Sequence, residues 1–346
     1  MNAQPNLNVP RRIPELWFED GNIVLQAGNV QYRVFRSILA RHSPVFRDML
    51  SFPQPADGEV VDGCPLVRIP DPEEETTPFL SALFDIEYFP PFPALTTALK
   101  LYGCLRLSHK YEVLELRKRA LIHLSSRFRT ELQQHNRVRL RTSSLSDLSH
   151  PVSNYSSWAM SSDDDFLICL VQLAREVDAL WVLPHLFYQL VVGGLRRAVY
   201  NGVQFGGIAG DLSPQDQINV EIALHSHTSA SLEIFHCLQT PGPALRSACP
   251  SSKDCLDRCL RVVSSNQWML HEYLRDPLTI WADGDWAAFD ELGPKPHICR
   301  ICLTDLMSRV KAIEEGFWTA LPGLHGLPPW NQLNEMKKAA IGDEFL

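Results

Sequence analysis

The residues in this chain best suited to chemistry are cysteines. Cys299-Arg-Ile-Cys302 has the two-residue spacing that turns both sulfurs towards one metal ion, and His297 precedes it. Upstream, Cys249-Pro-Ser-Ser-Lys-Asp-Cys255 supplies a second pair, with Cys259 one helical turn beyond Cys255. Cys249, Cys255, Cys299 and Cys302 together predict a structural zinc site that pins the chain near residue 250 to the chain near residue 300. A tetrathiolate site is closed, so such an ion holds structure and catalyses nothing. The competing reading makes them small buried hydrophobes, as free cysteines often are. Cys64, Cys104 and Cys169 sit in apolar or loop contexts and read as packing residues. The nine cysteines are an odd number, and the opening residues 1–12 contain no apolar stretch of the signal-peptide kind. The expectation is reduced thiols in the cytoplasm or nucleus.

Signatures of catalysis are missing from the sequence. There is no G-x-S-x-G elbow, no G-x-x-x-x-G-K-[ST] phosphate loop and no H-E-x-x-H zinc helix. His271-Glu272 lacks the second histidine. Gly206-Gly207-Ile-Ala-Gly210 follows no clear strand, so it reads as a flexible turn. His225 and His227 are spaced to share a metal but read better as residues at a helix end. The expectation is a chain that is not an enzyme.

At 346 residues the chain is long enough for two cores. A hydrophobic fraction of 45% and a charged fraction of 21% fit a soluble globular protein. The net charge of −8 argues against wholesale attraction to nucleic acid or anionic membranes. No run approaches the ~20 apolar residues that span a bilayer. One segment opposes this balance: between Lys100 and Arg141 there are eleven Lys/Arg against three carboxylates, Glu112, Glu115 and Glu131. It reads as a solvated outer face neutralised by the acidic second region, with a contact stripe for nucleic acid or an acidic partner as the alternative.

The elements that must position these residues begin with a hairpin. Ile23, Leu25 and Ala27 alternate, as do Val30, Tyr32 and Val34, and Gly28-Asn29 supplies a two-residue turn. Two short helices follow at once, the second opened by Ser43 as N-cap and Pro44 at the first helical position. Residues 52–65 read as a loop, 65–70 as a short strand, and 73–88 as a helix started by three glutamates. Helical spacing resumes with Ala98, Leu101, Tyr102 and Leu105, and again with Leu116, Ala120 and Leu124. Residues 129–165 form a polar, serine-rich linker carrying Ser143, Ser144, Ser146, Ser161 and Ser162 as candidate phosphoacceptors. From about Phe166 the pattern is helical, with Ser213-Pro214 and Asp216 marking another helix start. Trp281, Trp286, Trp318 and Trp330, set among prolines, predict irregular segments packed over those helices. The domains expected are a flexible start at 1–14, an α+β domain at 15–128, the linker at 129–165, and a helical domain at 166–346 with a zinc-stapled segment 249–302.

Hairpin, helix, Ser-Pro, helix, followed by Leu105-Arg-Leu-Ser-His-Lys-Tyr111, resembles a BTB (POZ) domain over roughly the first third of the chain. The wording Arg36-Ser-Ile-Leu-Ala-Arg-His-Ser-Pro-Val-Phe-Arg-Asp-Met49 is most similar to BTB proteins of mushroom-forming fungi. The resemblance implies a short sheet flanked by helices that serves as a protein-interaction platform: a homodimer, a partner-recruiting scaffold, or a substrate adaptor for a cullin-type ubiquitin ligase. A transcriptional or chromatin regulator using the basic segment is the alternative. Leu16, Trp17 and Phe18 would pack on a second copy if they do not cover their own core, and Phe46, Met49, Leu50 and Glu59 would serve partner contact. Two positions depart from the family pattern: Asn22 stands where an Asp is usual, and Phe35 where a His is usual. The hydrophobic-x-Glu signature of cullin adaptors is broken as well, because Asp57 lies two residues before Glu59.

Overall fold

The structure, a computed structural model, describes residues 9–52, 58–136, 158–159, 166–240, 249, 252–265, 274–280 and 298–343. The candidate phosphoacceptors, Asp57, His271, Glu272, Trp281, Trp286, His297 and the basic residues at 137–141 lie outside them, as does the Cys259 side chain.

A five-stranded sheet anchors the first part, in the order β1 (Arg11–Trp17), β3 (Val30–Val34), β2 (Ile23–Ala27), β5 (Cys64–Ile69), β4 (Val60–Val61). The expected hairpin is present, with Ile23 opposite Val34 and Ala27 opposite Val30, and Gly28 takes φ +54° in its turn. β5 lies parallel to β2, from Val24 beside Leu66 to Ala27 beside Ile69.

The first strand corrects the boundary expected at residue 15. β1 starts at Arg11 and runs parallel to β3. Its solvent-facing residues and Pro14 hide the strand signal, because an edge strand tolerates both. The segment 52–65 is likewise not all loop. Asp62 and Gly63, at φ +48° and +80°, form the tight turn that joins β4 to β5.

Helices α1 (Arg36–His42) and α2 (Pro44–Ser51) follow the hairpin. Then come α3 (Glu73–Phe84), α4 (Ala98–Lys110) and α5 (Leu114–Arg127). Ser43 ties two of these elements together. Its hydroxyl accepts from the Phe46 N–H at 2.9 Å and donates to the Tyr111 carbonyl at 2.6 Å. Below it the rings of Phe46, Phe79 and Tyr111 stack, Phe46 to Tyr111 at 4.4 Å. The Tyr111 hydroxyl donates to buried Asp71, which also holds Lys110. Gly103 lets α4 close on α3, since a Cβ there would lie 2.7 Å from Pro78 and 2.8 Å from the Glu75 carbonyl.

The sequence between the two regions does not separate two cores. A two-residue strand, β7 (Trp158–Ala159), pairs with β6 (Thr96–Thr97) within the expected linker. Helix α6 (Phe166–Glu176) then enters, and its residues from Phe166 to Val171 are all at most 2% exposed. One continuous buried cluster runs from Leu16 in β1 through α6 to Ile341. Polar contacts cross the same seam. Arg106 bridges Glu75 at 2.6 Å and Glu176 at 2.9 Å, Arg117 donates to the Val177 carbonyl at 2.9 Å, and Trp181 donates to Ser125 at 2.9 Å. Burial pushes the Glu75 carboxyl up even with Arg106 against it.

After α6 come α7 (Leu183–Gly193), α8 (Arg196–Asn201) and a hairpin of β8 (Val203–Phe205) and β9 (Ile208–Gly210). The Gly206-Gly207 stretch is the turn of that hairpin. The long α9 (Pro214–Gln239) starts where expected: Ser213 accepts from the Asp216 N–H, and Asp216 pairs with Arg175. It lies against α11 (Arg300–Leu324) in the opposite direction. Arg309 donates to the carbonyls of Cys237 and Thr240 at α9's end, whereas Asn219 near its start donates to the His325 carbonyl. Between them in sequence is α10 (Ser252–Ser265), and α12 (Trp330–Ile341) returns to pack against α5. Trp318 and Trp330 therefore belong to helices and not to irregular segments. They stack at 5.3 Å, and the Trp330 indole N–H donates to the Trp318 carbonyl.

Ser43→Ala removes a cap and leaves the buried Tyr111 carbonyl without its donor. It should lower folding stability by about 1–3 kcal/mol in a denaturant melt, while Ser51→Ala, at the exposed end of α2, should change it little.

Candidate functional site

The four cysteines picked out by spacing meet in space. The sulfurs of Cys249, Cys255, Cys299 and Cys302 all lie within 4.8 Å of one another. Cys249 to Cys255 is 3.7 Å, Cys249 to Cys299 is 3.6 Å, and Cys299 to Cys302 is 3.1 Å. Four sulfurs at ~2.3 Å from a central tetrahedral ion would stand ~3.8 Å apart. The cluster has the size and the thiol-only chemistry of a soft-metal cage.

Local structure explains the convergence. Cys255 is in the first turn of α10, Cys299 is the N-cap of α11, and Cys302 lies in α11's first turn. The positive end of α11 faces the thiols and favours their anionic form. The Cys299 N–H points at the Cys255 sulfur at 3.4 Å, the kind of outer contact that orients a metal ligand. Ile298 and Leu303 wall the cluster on its apolar side, whereas Cys249 and Cys299 are half-exposed.

The thiols titrate as a set. Burial pushes Cys255 and Cys302 up, and close sulfur neighbours add to the rise at Cys302. Cys299 also resists ionisation through burial, but hydrogen bonds from its cysteine neighbours outweigh that and bring it down to about 7. One anionic sulfur is tolerated, and further negative charge beside it is not unless a cation enters.

The other cysteines do something else. Cys64 and Cys104 donate to the carbonyls of Gly21 and Pro78, Cys169 is fully buried against Gly210, and burial raises the Cys104 thiol. These are packing residues, as expected.

The residues expected at a partner surface divide sharply. Leu16, Phe46 and Leu50 are 1%, 0% and 2% exposed and fill the chain's own core, which corrects their assignment to partner contact. Their apolar faces close the sheet onto α2 and α3, leaving nothing to offer a second chain. Trp17 and Phe18 remain half-buried at the surface. Trp17 lies under the Arg12 guanidinium at 4.1 Å, and Phe18 packs on Phe35 and Phe84. Met49 is also half-buried. Glu59 is exposed and held by both guanidinium nitrogens of Arg68, which lower its carboxyl. Asn22 accepts from the Arg36 N–H, opening α1.

Four residues of the basic segment are engaged within the chain. Arg106, Lys110, Arg117 and Arg119 bind Glu75 and Glu176, Asp71, Val177 and Phe89 respectively.

Sequence reasoning missed a group of buried histidines. His227 sits mid-helix in α9 and not at a helix end, with its Nδ1 bonded to the Arg275 carbonyl at 2.6 Å. His325 stacks on Phe187 at 4.4 Å, and neither of its ring nitrogens has a hydrogen-bond partner among the described residues. His185 accepts from the Arg129 N–H at 2.7 Å. Their spacing carries no signal, because the contacts come from tertiary packing. An open groove of about 1060 Å³ lies nearby, between residues 130–136 and α11, lined by Glu131, Lys311, Trp318 and Trp330 among others.

Family models, curated proteins and solved structures all fail to match this chain. Among the described residues, no helix is long and apolar enough to cross a membrane.

Burial brings His227 down to about 4, and burial with His227 and Arg175 nearby brings His325 down to about 3. The unfolded chain keeps the ordinary histidine value near 6.5, so it binds more protons in between, and acid favours unfolding. The melting temperature should therefore fall as pH drops from about 6.5 towards 4. His325→Leu should flatten that slope in thermal melts run across the window.

Proposed function

We propose that this chain is a non-enzymatic protein-interaction scaffold of the BTB (POZ) type, acting by self-association or partner recruitment, and that zinc closes its four-cysteine cluster. The observation that carries the first part is the Ser43 junction. The end of α1, the Ser43-Pro44 start of α2, and Tyr111 at the end of α4 meet at one buried point. Those are the segments on which the family resemblance rests. Presentation of partners to a cullin-type ubiquitin ligase is the specific role proposed. The half-buried Met49 and exposed Phe52 and Glu59 offer the contact surface after α2. The nucleic-acid reading draws less support, since Arg106, Lys110, Arg117 and Arg119 of the basic segment already have partners.

Zinc is supported by the sulfur separations and by a donor set made of thiols alone among the described residues. A tetrathiolate ion would be closed and structural, joining α10 to α11. Cytoplasm or nucleus, where thiols stay reduced, is the compartment that fits.

The test of function is affinity capture from native cells with the wild-type chain and a Met49→Asp variant, together with light scattering for self-association. Met49 is chosen because the fold survives surface changes better than changes at Phe46. A cullin recovered with wild type and lost with the folded variant supports the adaptor reading. Chromatin proteins and salt-sensitive DNA binding overturn it. For the metal, elemental analysis should find about one zinc per chain. Cys302→Ser should lose most of it, and chelation should lower the melting temperature. Far less than one zinc in the wild type overturns the metal reading.

A further inference from the structure

We propose that Cys299 and Cys302 form an oxidation site, at which a hydroperoxide joins the two sulfurs as a disulfide and the bound metal leaves; the inference rests on the zinc reading. Three observations single out this pair. Their sulfurs lie 3.1 Å apart, against 3.6 Å for Cys249 and Cys299 and 3.7 Å for Cys249 and Cys255. Both sit on one helical turn, where an i,i+3 pair has Cα atoms about 5 Å apart, within the span that a disulfide bridges without backbone movement. Cys299 is half-exposed at the N-terminus of α11, so a small oxidant reaches it.

The contrast with the other thiols gives selectivity. Cys104 and Cys169 lie inside the main core at 0% exposure, and Cys64 is buried at 6%. Cys237 is half-buried in α9, and burial raises its thiol. The cluster itself is a separate small apolar group of Cys255, Ile298 and Cys302 with Cys249, Cys299 and Leu303 around it. Releasing the metal therefore loosens α10 from α11 without opening the main core.

The chemistry balances. The Cys299 sulfur attacks one peroxide oxygen, the O–O bond breaks, and the other oxygen leaves as water after taking a proton. The Cys302 sulfur then displaces the oxygen on Cys299, which leaves as a second water with a second proton. Two electrons pass from the two sulfurs to the peroxide. The zinc ion, left with Cys249 and Cys255 alone, dissociates.

The experiment uses the full, zinc-loaded chain. Hydrogen peroxide is added stepwise while free zinc is read with a colorimetric chelating dye, and disulfides are then mapped by alkylation and peptide mass spectrometry. One zinc released per Cys299–Cys302 disulfide, with Cys104 and Cys169 still reduced and the zinc regained after dithiothreitol, is the expected result. A chain that keeps its zinc until other cysteines are oxidised overturns the proposal, as does a bridge that maps from Cys249 to Cys299. A chain purified with no zinc overturns the metal reading, and this proposal with it, and is told apart by the elemental analysis before any oxidant is added.

Discussion

The structure turns on one helix whose first half has no face for water. Residues 166–171 are buried all round, so this part of α6 must be covered by neighbours on every side, whereas Gln172, Arg175 and Glu176 further along it reach solvent. Each large apolar side chain withdrawn from water contributes roughly 1.5–3 kcal/mol, and none of that is available to α6 alone. α4 covers one flank, α7 another, and the β8–β9 hairpin a third. One main cluster consequently spans both regions, with smaller clusters in the C-terminal part. Arg106 shows the electrostatic side of the same constraint. It reaches from α4 to carboxylates on α3 and α6, and its partner Glu75 is buried deeply enough that an unpaired charge there would be costly.

How much of this was legible in the sequence depends on the range of the interaction. The hairpin, the Ser43 and Ser213 caps and the α3–α5 stripes are local, written in alternation, capping oxygens and four-residue spacing, and all are present. β1 was missed because an edge strand with Pro14 and outward charges lacks alternation. Leu16, Phe46 and Leu50 were misassigned because apolar residues near a hairpin look alike whether they face a core or a partner. Only the tertiary packing decides: Phe46, for one, stacks on Phe79 of α3 and on Tyr111. Trp318 and Trp330 are misread because the prolines around them suggest breaks, but Pro322 is accommodated in the last turn of α11 and Pro329 is the N-cap residue of α12.

The candidate site lies between these extremes. The two-residue spacing of Cys299 and Cys302 is a local sign, set by one turn of helix. Cys249 and Cys255 carried a weaker sign, and their meeting with the other pair depends on α9 and α11 running in opposite directions. Arg309 helps hold that arrangement by satisfying the carbonyls at the end of α9. The sequence nominates the four cysteines; the helix pair brings them together.

The return of α12 to α5 has a consequence for how the protein is made. Leu333 and Ile341 are 0% and 1% exposed within the same cluster that holds Leu16. A ribosome that has delivered the sheet and α1–α5 has therefore delivered a surface still missing its cover, and that surface stays exposed until residue 341 has emerged. Contacts so distant in sequence form late. A nascent chain stalled before that point displays an apolar flank to chaperones and proteases.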